Sequence, residues 1–111
     1  MGEKNQDDDQ IEQAVEQYKI VLQLKDTHLP ALNNLGYVYM VDQDKYDEAM
    51  TMFDRAIAVE PNCVEAHCNR GVCFECTGRL EEAREAYNTA LKILPNYEPA
   101  VVGLNRLDKM K

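Results

Sequence analysis

No apolar run in this 111-residue chain approaches the roughly 18 residues that suggest a membrane span. The opening stretch MGEKNQDDDQ lacks the apolar core of a signal peptide. Basic side chains are few: 12 Lys and Arg stand against 20 Asp and Glu, a net charge of −8. A surface this acidic repels phosphate backbones and anionic lipid. Nucleic acid and membrane are therefore not expected as partners, and a neutral-to-basic protein or peptide is. Catalytic motifs are also missing. There is no Gly-rich phosphate loop, no HExxH and no G-x-S-x-G, and the only histidines are His28 and His67. Acidic pairs such as Asp47-Glu48 and Glu81-Glu82 begin expected helices. The helix dipole stabilises negative charge there, which accounts for these pairs better than acid–base chemistry does. The expectation is a chain that is not an enzyme, with no catalytic residue and no cofactor.

What is present is ordinary globular composition, 45% hydrophobic and 29% charged, which argues against disorder. The length suits one domain or one piece of a larger array. Four cysteines, Cys63, Cys68, Cys73 and Cys76, sit close together. Without a secretory signal they are expected to be free thiols in a reducing, cytoplasmic compartment. With His67 they supply ligand types for a metal. However, Cys73-x2-Cys76 falls inside an expected helix, and Cys68 and Cys73 point about 140° apart on a helix of 3.6-residue period. Small, semi-buried packing residues explain these cysteines better than a metal site does.

The chain also repeats itself. YDEAMTMFDRAIAVEPN, from Tyr46 to Asn62, returns as LEEAREAYNTALKILPN, from Leu80 to Asn96. Few letters are shared, but the spacing is kept, and spacing kept while letters change reflects packing. Ala49 and Ala83, Phe53 and Tyr87, Ala56 and Ala90, and Pro61 and Pro95 are each 34 apart, and Gly36 and Gly71 are 35 apart. The earlier segment IEQAVEQYKIVLQL joins through Ala14 and Tyr18, each 35 before its counterpart. Each complete repeat reads as two helices. First helices are expected over Leu29–Val41 and Val64–Thr77, and second helices over Tyr46–Val59 and Leu80–Leu94. Pro61 and Pro95 stop the second helices, and Gly78 fits a left-handed cap. Gly36 and Gly71, lacking a β-carbon, mark close helix approach. That use offsets a cost of about 1 kcal/mol relative to Ala in a helix.

At these residues the chain resembles the tetratricopeptide repeat family, whose 34-residue pattern is W-x2-L-G-x2-Y, then A-x3-F, then P. Leu32-x2-Leu35-Gly36-x2-Tyr39, Ala49-x3-Phe53 and Pro61 match it, with Leu32 in place of Trp. His67-x2-Arg70-Gly71-x2-Phe74, Ala83-x3-Tyr87 and Pro95 match less fully. The resemblance implies an all-α, right-handed solenoid of antiparallel helical hairpins. Residues 1–10 are expected as a flexible acidic N-terminus. Residues 11–97 are expected as repeats (a half-repeat over 11–26, then 29–62 and 64–97), and residues 98–111 as a capping helix in which Asn105 and Asp108 replace the glycine and the aromatic. The first segment, a second helix without its first, is expected to expose Ile11, Val15 and Leu22, a face that a further copy of the chain can cover.

The resemblance implies a protein-interaction module, a scaffold or adaptor whose first helices line a concave groove for an extended peptide. Groove residues are expected at Asn33, Asn34, Tyr37, Met40 and Val41, and at Glu65, Cys68, Asn69, Val72 and Cys76. Asn34 and Asn69 share a phase, each two residues before a glycine. An amide there can pair with any peptide backbone, or it can simply be solvated. Members of the family that bind chaperone C-terminal carboxylates place Lys and Arg in the groove. Here Asn33, Tyr37, Glu65 and Asn69 stand at the matching places, so that role is not expected. A repeat segment of a larger enzyme that recruits substrate, and a self-assembling scaffold, are the alternatives.

Overall fold

The computed structural model describes residues 6–110. Helices α1 (Gln6–Leu24), α2 (Leu29–Val41), α3 (Tyr46–Val59), α4 (Val64–Cys76), α5 (Leu80–Ile93) and α6 (Glu98–Lys109) follow one another. There is no strand among the described residues. The fold is an all-α helical solenoid. α1 begins at Gln6, inside the segment expected to be flexible, while residues 1–5 lie outside the described residues. Asp8 and Asp9 lie near its start, where the dipole stabilises negative charge.

Local chemistry sets the helix ends. Pro30 and Pro99 stand in the first turns of α2 and α6, where a missing N–H costs nothing. The His28 ring Nδ1 accepts from the Ala31 N–H at 3.1 Å, capping α2. At the ends of α3 and α5, Glu60 and Leu94 turn extended, with φ of −137° and −135°. A following proline disfavours helical backbone at both places. Between α4 and α5, Gly78 adopts φ +81° and the Arg79 N–H returns to the Phe74 carbonyl at 2.8 Å. This is a Schellman closure. The turn between α2 and α3 holds one more residue. Lys45 N–H reaches back to the Tyr39 carbonyl at 2.8 Å, and Asp44 takes the positive φ, 53°.

α2 packs on α3 and α4 on α5 as hairpins, while α1 lies on α2, α3 on α4 and α5 on α6. The first helices also touch along the array, α2 with α4 and α4 with α6. The second helices α1, α3 and α5 do not approach one another. The molecule measures 40 × 37 × 20 Å, so its thin dimension holds two helix layers of about 10 Å each. An inner layer packed more closely than the outer one curves the array, with α2, α4 and α6 on the concave side.

Phe53 and Tyr87 are fully buried at the centres of two core clusters. Each such side chain contributes about 1.5–3 kcal/mol by leaving water. A β-carbon at Gly36 would lie 2.6 Å from Phe53 Cε1, and one at Gly71 would lie 2.7 Å from Tyr87 Cε1. The repeated glycines are therefore the seats of the repeated aromatics.

The open face of α1 differs from expectation. Val15 and Leu22 are buried and Ile11 is half-buried, because α1 meets α2 as α3 meets α4. Ala14, Tyr18 and Val21 are half-open as well. Their counterparts Ala49, Phe53 and Ala56, and Ala83, Tyr87 and Ala90, are all 0% exposed against the first helix of their own repeat. α1 has no such helix among the described residues.

Candidate functional site

Because α2, α4 and α6 touch in sequence, they make one continuous inner surface. Two turns of helix bring residues seven apart back to the same row. Asn33 and Met40 share a row on α2, as Cys68 and Glu75 do on α4. Both rows are seams between neighbouring first helices. Asn33 Nδ2 donates to Cys63 Sγ at the start of α4 at 3.3 Å, and Glu75 accepts from Arg106 of α6. This corrects two groove expectations. Met40, at 5% exposure, and Cys68, at 2%, are core residues. Cys68 packs in the cluster that holds Tyr87 and Ala100.

The remaining expected groove residues reach the surface to different degrees. On α2, Asn34 is exposed, Tyr37 is 51% exposed and Val41 is 50% exposed, while Asn33 is half-buried in its seam. On α4, Glu65 and Cys76 are exposed and Asn69 and Val72 are half-buried. Val72 packs against both core clusters, which fixes its position. The phase of Asn34 and Asn69 holds Gly103 on α6, where a β-carbon would lie 2.6 Å from Tyr87 Cε2. This phase therefore runs along the edge where a first helix meets the preceding second helix.

Charge on this surface is largely settled internally. Arg106 Nε and Nη2 donate to Glu75 Oε2 and Oε1, both at 2.9 Å, and the Tyr87 hydroxyl donates to Glu75 Oε1 at 2.7 Å. The Arg106 guanidinium, with help from Tyr87, holds the Glu75 carboxyl below the usual carboxylate range. Burial, then the Glu75 bond, pushes the Tyr87 phenol well above its ordinary value. This network ties α4, α5 and α6 together and neutralises the arginine that α6 brings to the inner face. The Tyr46 hydroxyl donates to Asp44 at 3.1 Å, and Asp44, then the Cys76 thiol, push it up to about 12. The four cysteines are free thiols. Cys63, Cys68 and Cys73 are buried and Cys76 is exposed. Burial raises Cys68 to about 11 and Cys73 to about 12.

The sequence reading missed both the Glu75–Tyr87–Arg106 network and Gly103. Counting along the repeat places the expected glycine at Asn105, yet it is Gly103 that α6 presses against the Tyr87 ring, which Gly71 of α4 also meets. The available signal was an unpaired acid and an unpaired base in corresponding helices, 31 residues apart.

A tetratricopeptide repeat model matches residues 39–98, more than half of the chain. Protein CTR9 homolog of Arabidopsis thaliana is 30% identical over 100 residues, covering 89% of this chain and 9% of that protein. A probable UDP-N-acetylglucosamine–peptide N-acetylglucosaminyltransferase SPINDLY of Petunia hybrida is 41% identical over 85 residues, covering 75% of this chain and 9% of that protein. The chain thus spans less than a tenth of these relatives. Among solved structures, the second TPR domain of human RPAP3, in complex with the HSP70 peptide SGPTIEEVD, superposes with a TM-score of 0.82 at 25% identity. The match covers 92% of this chain and 84% of that one.

Proposed function

Since the chain belongs to the tetratricopeptide repeat family, we propose that it is a non-catalytic interaction module, a scaffold or adaptor that holds an extended peptide on the concave face of α2, α4 and α6. The supporting observation is the surface row of Asn34, Tyr37, Asn69 and Val72 on helices that touch in sequence. The amides offer a donor and an acceptor each to a peptide backbone, and Tyr37 and Val72 offer apolar contact. The RPAP3 domain shares the fold and is in complex with an acidic peptide. Here Glu65 is exposed and Arg106 is spent on Glu75, so a neutral-to-basic segment suits the surface better. Four free thiols, three of them buried, suit a reducing, cytoplasmic setting.

The test begins with selection of a peptide from a random display library on the full chain. Asn34→Ala and Asn69→Ala should each weaken its binding by about 1 kcal/mol, the net value of one hydrogen bond. Normal affinity in both variants, with normal melting, contradicts the groove. Two other observations favour second readings. Similarity to SPINDLY supports a repeat segment that recruits substrate to an enzyme. The half-open Ala14, Tyr18 and Val21 support self-association through α1, which sedimentation across a concentration series tests.

A further inference from the structure

On the outer face α1 and α3 stand apart over α2, and a cleft of about 350 Å³ opens between them. Leu22, Leu35, Tyr39 and Met52 give it an apolar floor, and Lys19 and Arg55 also line it. Arg55 is held in place: its Nη2 donates to the Asp26 backbone carbonyl at 3.1 Å. That acceptor is neutral, so it orients the guanidinium without cancelling its charge. The ion pairs of the described residues engage Arg70, Arg79, Arg84 and Arg106, and leave Lys19 and Arg55 without an acid.

The next repeat is an internal comparison. By the repeat spacing Lys19 corresponds to Asp54, Leu35 to Arg70, Tyr39 to Phe74 and Arg55 to Thr89. There Arg70 Nε meets Asp54 Oδ1 at 2.8 Å, and the guanidinium lies 5.3 Å from the centre of the Phe74 ring. The chain's own ion pair occupies that place. In the first repeat a lysine stands in place of the acid, a leucine in place of the pairing arginine, and Arg55 in place of Thr89. Two cations therefore face an apolar floor on a chain whose net charge is −8. Charges beyond about 8 Å are screened at physiological salt, so the groups at the cleft weigh most: Lys19 and Arg55, with the exposed Asp26 and Glu16 at its rim.

We propose that this outer cleft binds a partner protein segment carrying an acidic side chain beside an aliphatic one. The carboxylate meets Lys19 and Arg55, and the aliphatic group rests on Leu22, Leu35, Tyr39 and Met52. The site shares no residue with the concave groove and selects the opposite charge, so the module engages two partners on two faces.

The probe is a capped octapeptide alternating leucine and glutamate, titrated into the ¹⁵N-labelled full chain, with a leucine–glutamine peptide as the neutral control. The glutamate peptide should shift the amides of Leu22, Leu35 and Met52. The glutamine peptide should bind roughly tenfold more weakly or worse, the scale of a lost charge-assisted bond. Lys19→Glu, a change at an exposed position, should cause a comparable loss without altering the melt. Arg55→Lys should retain part of the affinity, and Asn34→Ala with Asn69→Ala should change nothing. Equal affinity for the two peptides, full affinity in Lys19→Glu, shifts confined to the inner face, or no shift overturns the proposal. So does a concentration-dependent dimer that Lys19→Glu dissolves, which would make a second copy the occupant.

Discussion

Replacing Gly71 by alanine sets two effects of known size against each other. Alanine gains about 1 kcal/mol over glycine inside a helix. The added β-carbon, however, would lie 2.7 Å from Cε1 and 2.8 Å from Cδ1 of Tyr87, where carbon contacts relax to about 3.5–4.0 Å. Relief requires the ring to move by roughly 0.8 Å or α4 to back away. The ring has nowhere to go: it is 0% exposed, Gly103 presses it from α6, and its hydroxyl is bound to Glu75 at 2.7 Å. Overpacking of this kind costs about 1–3 kcal/mol, so the clash wins. The net loss should be up to about 2 kcal/mol, and each kcal/mol lowers the melting temperature by about 4–8 °C. Thermal melts read by circular dichroism measure it, with Tyr87→Leu as the second arm of a double-mutant cycle. Leucine lacks the offending ring atoms, so Gly71→Ala should be neutral or stabilising in that background. A Gly71→Ala protein that melts at or above the parent, or a penalty unchanged by Tyr87→Leu, refutes the reasoning.

Two further predictions concern ionisable groups. Glu75, held below its ordinary value of 4.5 chiefly by Arg106, contributes stability that is present above that value and lost as pH falls through the depressed folded value. Tyr87, raised above 10.0, contributes stability that is present below pH 10 and lost as pH rises beyond it. Urea midpoints across pH should therefore show a plateau with a fall at each end. Glu75→Gln should flatten the acid limb and cost about 1–2 kcal/mol at neutral pH, a value limited by the 47% exposure of Arg106. In timed alkylation read by mass spectrometry, exposed Cys76 should react first. Cys68 and Cys73, buried and raised to about 11 and about 12, should wait for unfolding.

Much of the fold was legible because its signals are local. Proline after a second helix, glycine opposite an aromatic and the alternation of helix and turn each act within one hairpin, and α2 and α3 begin and end at the residues the spacing gives. The groove was less legible because it depends on how hairpins stack. Met40 and Cys68 read as inner-face residues on a single helix, and only the contacts of α2 with α4 and of α4 with α6 bury them. The same holds for α1. Its apolar residues were visible, but whether Val15 or Tyr18 turns to α2 depends on the packing of a neighbour. Gly103 escaped because α6 presents a residue two places from the repeat's glycine position to Tyr87.

Amide chemical-shift mapping of the full chain with a peptide selected on it tests the central claim most directly. The account predicts that the perturbed amides cluster at Asn34, Tyr37, Asn69 and Val72, with α3 and α5 unmoved. Perturbations confined to Ala14, Tyr18 and Val21 of α1, or to the outer faces of α3 and α5, would contradict it.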